Sequence, residues 1–488
     1  MADKIMILGT ASGAGKSTVT AGIIRALRKR GYSVCPYKSQ NMSLNSHVDI
    51  NGGEMGRAQA LQAQCADIEP MAWMNPILLK PSGDTTAQVI FNGEAVKTMS
   101  AVEYEAFKSE LKRLLKADFQ QRTAPYDFAV IEGAGSPAEI NLRTNDIVNM
   151  GLAQLLDADA VLVGDIDRGG VFAALYGTCM LLPPEERQRI KGFILNKFRG
   201  DLALLQPGIE MMEELLHIPC LGVIPYRQLN LEEEDGAVEM NKRVQGEIDV
   251  AVIHLKHISN FTDLLPLEQE ADVSVRYVDS PGELKNPDLL IIPGSKNTIY
   301  DLTDLKTRGL FDAIAGFAEK GGRILGICGG YQMLLEEILD PHGVEGDVPL
   351  AEGFGLLRGK TTFEPAKTLL RSKGNAVYQG KAQSVYGYEI HAGITETEEP
   401  PFILKENGGR DGAKSPDEKI LGTYFHGIFD SMHWRGALLN AIRLERGLTA
   451  QAPKDFEGDK IKAMDALGSL METNLDMEEI IRIAQRRP

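Results

Sequence analysis

Short apolar runs punctuate this chain, and the stretches between them carry helical rather than alternating spacing. The runs are "KIMILG", "DFAVIEGAG", "DAVLVGDID" and "KGFILNKF" in the first half, then "IDVAVIHL", "DLLIIPGS" and "GRILGICGG" in the second. Rich in Val and Ile and without a polar face, they read as strands buried on both sides of a parallel sheet. Between the fourth and fifth runs, residues 229–247 ("LNLEEEDGAVEMNKRVQGE") are acidic, polar and without period, which marks a linker. The pattern predicts an α/β protein of two doubly wound domains, residues 1–228 and 248–441. A helical tail follows over 442–488, and no chemistry is assigned to it. The length of 488 residues agrees, since single cores stop growing near ~250–300 residues.

Composition narrows the class. At 43% hydrophobic and 25% charged with 50 glycines, the chain has the balance of a soluble α/β protein. The net charge of −16, with no Lys/Arg cluster, excludes a general nucleic-acid binder, so an anionic substrate would need basic residues placed locally. The start, "MADKIMILG", lacks the pattern of a leader, and no window approaches the ~20 apolar residues of a membrane span. A cytoplasmic protein without a membrane partner is expected. The five cysteines (Cys35, Cys65, Cys179, Cys220, Cys328) are scattered and never spaced CxxC, which points away from disulfides and zinc. One of them remains a candidate nucleophile.

The stretch "ILGTASGAGKSTVTAGIIRAL" (7–27) runs from apolar strand through glycine-rich turn to helix. It departs from the G-x-x-x-x-G-K-[ST] phosphate loop in one respect: Gly9 stands one residue too far upstream, and Thr10 occupies the usual glycine place. Gly13 and Gly15 still let backbone N–H groups turn inward, the helix N-terminus favours anionic phosphate, Lys16 reaches the β/γ-phosphates and Ser17 ligates Mg²⁺. The expected ATP site is Thr10, Gly13, Ala14, Gly15, Lys16, Ser17 and Thr18. Magnesium needs further oxygens. Glu132, at the carboxyl end of "YDFAVIEGAG", is the first candidate and Asp49 the second. "GTASGAGKS" is similar to the variant loop of dethiobiotin synthetase and of the ATPases that position septum and plasmids. That resemblance extends to "EGAG" as a metal-binding strand end and to Asn196, in "ILNKFRGD", as the asparagine that reads adenine.

In the second half, "GRILGICGGYQML" sets Cys328 between a strand and a helix, flanked by Gly326 and Gly330. This is nucleophile-elbow logic with sulfur in place of oxygen, and the helix N-terminus favours the thiolate. The N–H groups of Gly329, Gly294 and Ser295 are candidates for an oxyanion hole, and His426, in "LGTYFHGIFD", is the candidate acid/base. His391, in "YGYEIHAG", also follows a strand and ranks below it. Together these resemble a class I glutamine amidotransferase, whose thiolate attacks the side-chain amide of glutamine and releases ammonia. Most of that class carries a glutamate two places after the histidine; here Ile428 stands there. Asp430, Glu389 or a backbone carbonyl remain open as the group that orients His426.

A glutaminase joined to an ATPase has one economical use. ATP turns a carboxylate into an acyl phosphate, and ammonia then displaces phosphate. The order of the two halves, with "YKSQNMSLNSHVDINGGEMGRAQALQAQ", "MNPILLKPSGDTTAQV", "EGAGSPAEINLRTNDIVNMG", "GDIDRGGVFAALYGT" and "HISNFTDLLPLE", resembles the corrinoid amidases of cobalamin biosynthesis over nearly the whole chain. The resemblance implies ATP- and glutamine-dependent amidation, with Mg²⁺, of the b, d, e and g carboxylates of adenosylcobyrinic acid a,c-diamide. The runner-up, cobyrinic acid a,c-diamide synthase, should lack "QNMSLNS" and "EMGRAQ". A partitioning-type nucleotide switch usually carries a lysine where Thr10 stands and has no need of Cys328. For the polycarboxylate, Lys38, Arg57, Lys80, Arg143 and Arg168 are the candidate positive charges. Gln40, Asn41 and Asn45 are the candidate partners of ring carboxamides. Lys38 and Lys80 are expected to reach as adaptable charges into a wide, shallow cleft.

Overall fold

The first apolar run becomes the strand Asp3–Gly9, near the middle of a six-stranded sheet. In the computed structural model, which describes residues 2–81, 85–232 and 246–486, the order is Cys220–Pro225, Ile190–Phe198, Asp159–Asp165, Asp3–Gly9, Phe128–Glu132 and Val34–Tyr37. Every neighbouring pair is parallel. The inner strands are buried on both faces, as continuous Val/Ile runs require. Register sets Ile7 beside Glu132 and Gly9 beside Val163, so the loop after Gly9 and the Glu132 carboxylate share the carboxyl edge of the sheet. A smaller mixed sheet of Gln40–Met42, Ile77–Pro81, Thr86–Phe91 and Glu94–Ser100 leads into the helix Ala101–Thr123. A capping box formed by Ser100 and Glu103 starts that helix.

The chain divides into two compact units: Met1–Ser43, Gly53–Asp235 and Asp459–Pro488 form the first, Leu44–Gly52 and Gly236–Gly458 the second. This division differs from the one read in the sequence at the linker and the tail, and Leu44–Gly52, read within the first domain, falls in the second unit. Most of the expected linker, residues 233–245, lies outside the described residues, but Leu229 and Leu231 pack against the core of the first unit and Glu232 is paired within it. The tail is helical, as expected, yet its last thirty residues belong to the first unit. Leu467, Met471, Ile480 and Ile483 are buried in the core that holds Val19, Ile23 and Ile24 of the helix Lys16–Lys29. Glycines let the two helices approach closely: a Cβ on Gly22 would lie 2.5 Å from Met471 Cγ, and one on Gly468 2.7 Å from Arg25 Cγ. Each glycine costs its helix about 1 kcal/mol relative to alanine, which the closer packing offsets.

In the second unit the order is Val273–Val278, Ile248–Ile253, Leu289–Ile292, Ile324–Ile327, Ile420–Thr423 and Ala413–Lys414, parallel except for the last. A long hairpin, Lys360–Tyr378 with Lys381–Glu396, turns through Gln379 and Gly380, both at positive φ. The three runs read as strands in this half are all strands, and four central strands present their carboxyl ends side by side.

Since the tail completes the core around the phosphate-loop helix, Leu467→Ala is expected to cost about 2–5 kcal/mol. Denaturant unfolding checks this; a loss under about 1 kcal/mol would mean that the tail rests on the first unit without supporting it.

Candidate functional site

The phosphate loop turns through Gly13 and Gly15, at φ 72° and 92°, left-handed values that glycine adopts without a Cβ penalty. Gly9 is explained by packing, because a Cβ there would stand 2.8 Å from Lys16 Cγ. Lys16 thus lies along the loop, its Nζ donating to the carbonyls of Ala11 (2.9 Å) and Gly135 (3.0 Å). Thr10 N–H donates to Val163 O at 3.0 Å, and Thr18 is exposed in the first helical turn. Asn196, within its strand rather than after it, donates from Nδ2 to Ala14 O at 3.0 Å, so the structure brings it against the loop.

Glu132 is fully buried. It accepts from Ser17 Oγ at 2.8 Å, from Lys38 Nζ at 2.9 Å and from Gln62 Nε2. Burial pushes its carboxyl up, and Lys38, Gln62 and Ser17 more than reverse this, holding it below the usual carboxylate range. An ionised carboxylate thus meets a serine hydroxyl at a helix N-terminus, a pair of hard oxygens that fits Mg²⁺. Asp49 lies in the segment Leu44–Gly52, which is grouped with the second unit, and its Oδ1 accepts the N–H of Asn51 at 2.8 Å.

Cys328 has φ 52° and ψ −109°, a strained conformation for a side-chain-bearing residue. Close packing holds it: a Cβ on Gly330 would sit 1.9 Å from Ile292 O, and one on Gly326 2.6 Å from Gly330 O. Sγ lies 3.4 Å from Ile390 O. His426, 1% exposed, stands just past the neighbouring strand, and its Nδ1 is 2.7 Å from Asp263 Oδ2. The other Asp263 oxygen accepts Gly427 N–H at 2.8 Å, which fixes the carboxylate plane. Burial lowers the imidazole pKa, but Asp263 and then Cys328 outweigh it and raise His426 to about 10. With Nδ1 engaged, Nε2 is the nitrogen left for proton exchange; Asn260 Nδ2 lies 3.3 Å from it, and Tyr388 stacks on the ring. Gly294 and Ser295 pair with Ile258 and Ser259, and a Cβ on Gly329 would lie 2.9 Å from Ser295 N. The backbone amides expected to bind an oxyanion are thus drawn together beside the nucleophile.

A CobQ/CobB/MinD/ParA nucleotide binding domain family matches residues 5–237, and a CobB/CobQ-like glutamine amidotransferase domain family matches residues 249–434. A cobyric acid synthase of Clostridium botulinum (strain ATCC 19397 / Type A) is 50% identical over 488 residues, covering 98% of this chain and 99% of that protein. Cobyric acid synthases of Clostridium acetobutylicum (52%) and Clostridium tetani (49%) each align with 98% of this chain and 98% of their own. The chain belongs to the cobyric acid synthase family. It carries the family's nucleotide-binding domain and glutamine amidotransferase domain in one polypeptide, both of α/β architecture.

The carboxylate against His426 Nδ1 is that of Asp263, where the sequence had left Asp430, Glu389 or a carbonyl open. Ile428, two places past the histidine, is fully buried in the apolar core of the second unit. Asp430 sits in the turn Ile428–Asp430, and Glu389 is engaged by Ser372, by Lys405 at 2.8 Å and by His391 at 3.6 Å. Burial raises Glu389, but these partners hold it at about 2. His391 lies inside its strand, stacked on Tyr424 with centroids 3.7 Å apart. Asp263 was overlooked because it follows a different strand; "NFTD" after "IDVAVIHL" was the available signal, but only the sheet order gives it meaning.

The basic residues are also placed differently from expectation. Lys38 (5% exposed) pairs with Glu132, and Lys80 (3%) pairs with Glu54 at 2.5 Å. Arg57 holds Glu232 at 2.7 Å together with Lys460 at 2.8 Å, keeping that buried carboxyl far below its usual range against the effect of burial. These are not adaptable charges on an open cleft, because ammonium and guanidinium groups withdrawn from water need fixed counter-charges. Arg143 pairs with Glu186 at 2.8 Å, whereas the Arg168 side chain is 76% exposed, 3.8 Å from Asp165. Gln40 accepts from Tyr104 and Asn41 donates to Gln59, while Asn45 belongs to the second unit.

Asp263→Asn is expected to lower glutaminase turnover about 100-fold or more, and Asp430→Asn to change it less than about twofold. Histidine NMR should place the His426 titration near pH 10, and near its ordinary value in Asp263→Asn. The pair's contribution to stability is then fully present below pH about 6.5 and lost as pH rises through about 10. An unaltered midpoint in the variant would exclude Asp263 as the partner.

Proposed function

We propose that the protein is an ATP- and glutamine-dependent amidoligase that converts the b, d, e and g carboxylates of adenosylcobyrinic acid a,c-diamide to amides in the cytoplasm. The observation that carries this reading is the union, in one chain, of a Cys328–His426–Asp263 set with a phosphate loop that faces a buried, ionised glutamate. The match to curated cobyric acid synthases over 98% of the chain supports the same substrate.

In the second unit, the Cys328 thiolate attacks the side-chain amide carbon of glutamine. The amides of Gly329 and Ser295 receive the oxyanion, with that of Gly294 next to it. The C–N bond breaks as His426 gives a proton to the leaving nitrogen, and ammonia departs. Water, deprotonated by His426, then hydrolyses the thioester to glutamate. Asp263 keeps the imidazole in the required tautomer and offsets its charge in both steps.

In the first unit, the loop Thr10–Thr18 cradles the ATP phosphates, Lys16 offsets charge on the transferring phosphoryl group, and Asn196 stands where the base is read. Ser17 and Glu132 are the oxygens that would hold Mg²⁺, whose charge supports phosphoryl transfer. The corrinoid carboxylate takes the γ-phosphoryl group to give an acyl phosphate and ADP, and ammonia displaces phosphate to give the amide. Arg168, exposed beside the loop, is the basic side chain best placed to meet substrate carboxylates, and Arg143 is half-buried.

Cys328→Ala should abolish synthesis from glutamine and leave synthesis from ammonium salt within about threefold, since only ammonia release needs the thiolate. Lys16→Ala should remove both. Equal loss from both nitrogen sources in Cys328→Ala would overturn the division of labour.

Mass spectrometry of a reaction stopped early should show mono-, di- and triamidated corrinoids free in solution, each step consuming one ATP and one glutamine. Conversion of a single carboxylate only would refute the assigned substrate.

A further inference from the structure

Asn260 is a buried side chain that the chemistry above does not use, and it stands between His426 and the segment Leu44–Gly52. Its backbone has φ 51° and ψ 41°, a left-handed conformation that asparagine tolerates, and its carbonyl accepts Asp263 N–H at 3.0 Å where the turn Phe261–Leu264 begins. Its Oδ1 accepts Ser46 N–H at 2.8 Å, and its Nδ2 lies 3.3 Å from His426 Nε2. Ser46 is fully buried and Asn260 is 3% exposed, so water does not stand in for either contact.

Leu44–Gly52 is grouped with the second unit, while Ser43 before it and Gly53 after it are grouped with the first. Further contacts seat the segment. Arg371 Nε donates to Val48 O at 2.9 Å, and Val48 packs with Ile390 and with Tyr388, the residue stacked on His426.

A backbone N–H can only donate, so the atom that meets Ser46 is the amide oxygen, and the NH₂ group is turned to His426. That orientation suits an imidazole whose Nε2 carries a lone pair. It opposes a ring whose Nε2 carries the proton destined for the leaving nitrogen, because two N–H groups then face each other. Burial favours the neutral ring, but Asp263 and then Cys328 outweigh it and favour the protonated one. The rest of the ring meets Tyr388 and Gly294, where a Cβ would lie 3.1 Å from Cε1. One amide oxygen therefore has two donors to serve, Ser46 N–H and the Nε2 proton. Turning the amide over gives the oxygen to Nε2–H and takes it from Ser46.

We propose that Asn260 is a positioning residue that links the seating of Leu44–Gly52 to the proton on His426: with its oxygen held by Ser46 it restrains glutamine hydrolysis, and with its oxygen turned to Nε2 it supports the reactive imidazolium. This rests on the glutaminase reading of the second unit. By reciprocity, the protonated ring loosens the segment by as much as the seated segment opposes the proton.

The test measures ammonia release from glutamine alone, without ATP or corrinoid. Asn260→Gly, which keeps the left-handed backbone accessible and removes the opposing NH₂, should raise kcat about threefold or more with KM within about twofold, the size of one weak hydrogen bond. Ser46→Pro, which removes the N–H and frees the oxygen, should act in the same direction, and the two gains should not add in the double variant. A merely structural contact would lower turnover when removed, so a fall in kcat in both single variants, or gains that multiply, would overturn the proposal. Synthesis from ammonium salt reports on folding, because it bypasses glutamine. Should Ser46→Pro fail by that criterion, Asn260→Gly decides alone, and an unchanged or lower kcat overturns the proposal. Ammonia release that survives Cys328→Ala would overturn the glutaminase reading first and this proposal with it, which keeps the two failures apart.

Discussion

A charge taken out of water has to be met by an opposite charge or a set of hydrogen bonds inside the protein. Much of this molecule follows from that constraint. In the first unit, Glu132 is held by Lys38, Glu54 by Lys80, and Glu232 by Arg57 and Lys460. In the second, Glu270 is held by Arg435, Asp272 by Arg443, and Asp263 by His426. Removing one member of such a pair strands the other and costs about 3–5 kcal/mol, so each pair fixes the elements that carry it.

The same constraint sets the chemistry. The imidazole at the carboxyl edge of the second sheet is withdrawn from water, and by itself burial would make it neutral. Asp263 reverses that and gives His426 a proton to deliver at neutral pH. At the phosphate loop, Lys38 keeps Glu132 ionised in a fully buried position, ready to accept a hard cation.

The contrast between local and long-range pairing explains what could be read in the sequence. Strands such as "KIMILG" and "DAVLVGDID" were legible because burial on both faces leaves a continuous apolar run. The phosphate loop and the turn at Cys328 were legible because tight turns demand glycine at set positions, and Gly13, Gly15 and Gly330 supply it. Asp263 was not legible as the partner of His426, since 163 residues separate them and only the order of strands in the sheet brings them together. The ion pairs of Lys38, Lys80 and Arg57 were not legible for the same reason: each is as polar in sequence as an exposed side chain, and the carboxylate that binds it is set by tertiary packing. The docking of residues 459–488 onto the first unit depends on the Gly22–Met471 and Gly468–Arg25 approaches, which no local period announces.

The central claim is that nitrogen freed from glutamine at Cys328 replaces an oxygen that ATP has activated at the phosphate loop. One measurement follows both atoms: supply glutamine labelled with ¹⁵N in its side-chain amide and corrinoid labelled with ¹⁸O in its carboxylates, then analyse corrinoid and phosphate by mass spectrometry. The account predicts one ¹⁵N in each new amide and one ¹⁸O in the phosphate released with it. Phosphate free of ¹⁸O, with amide still formed, would contradict the acyl phosphate and with it the role assigned to the first unit.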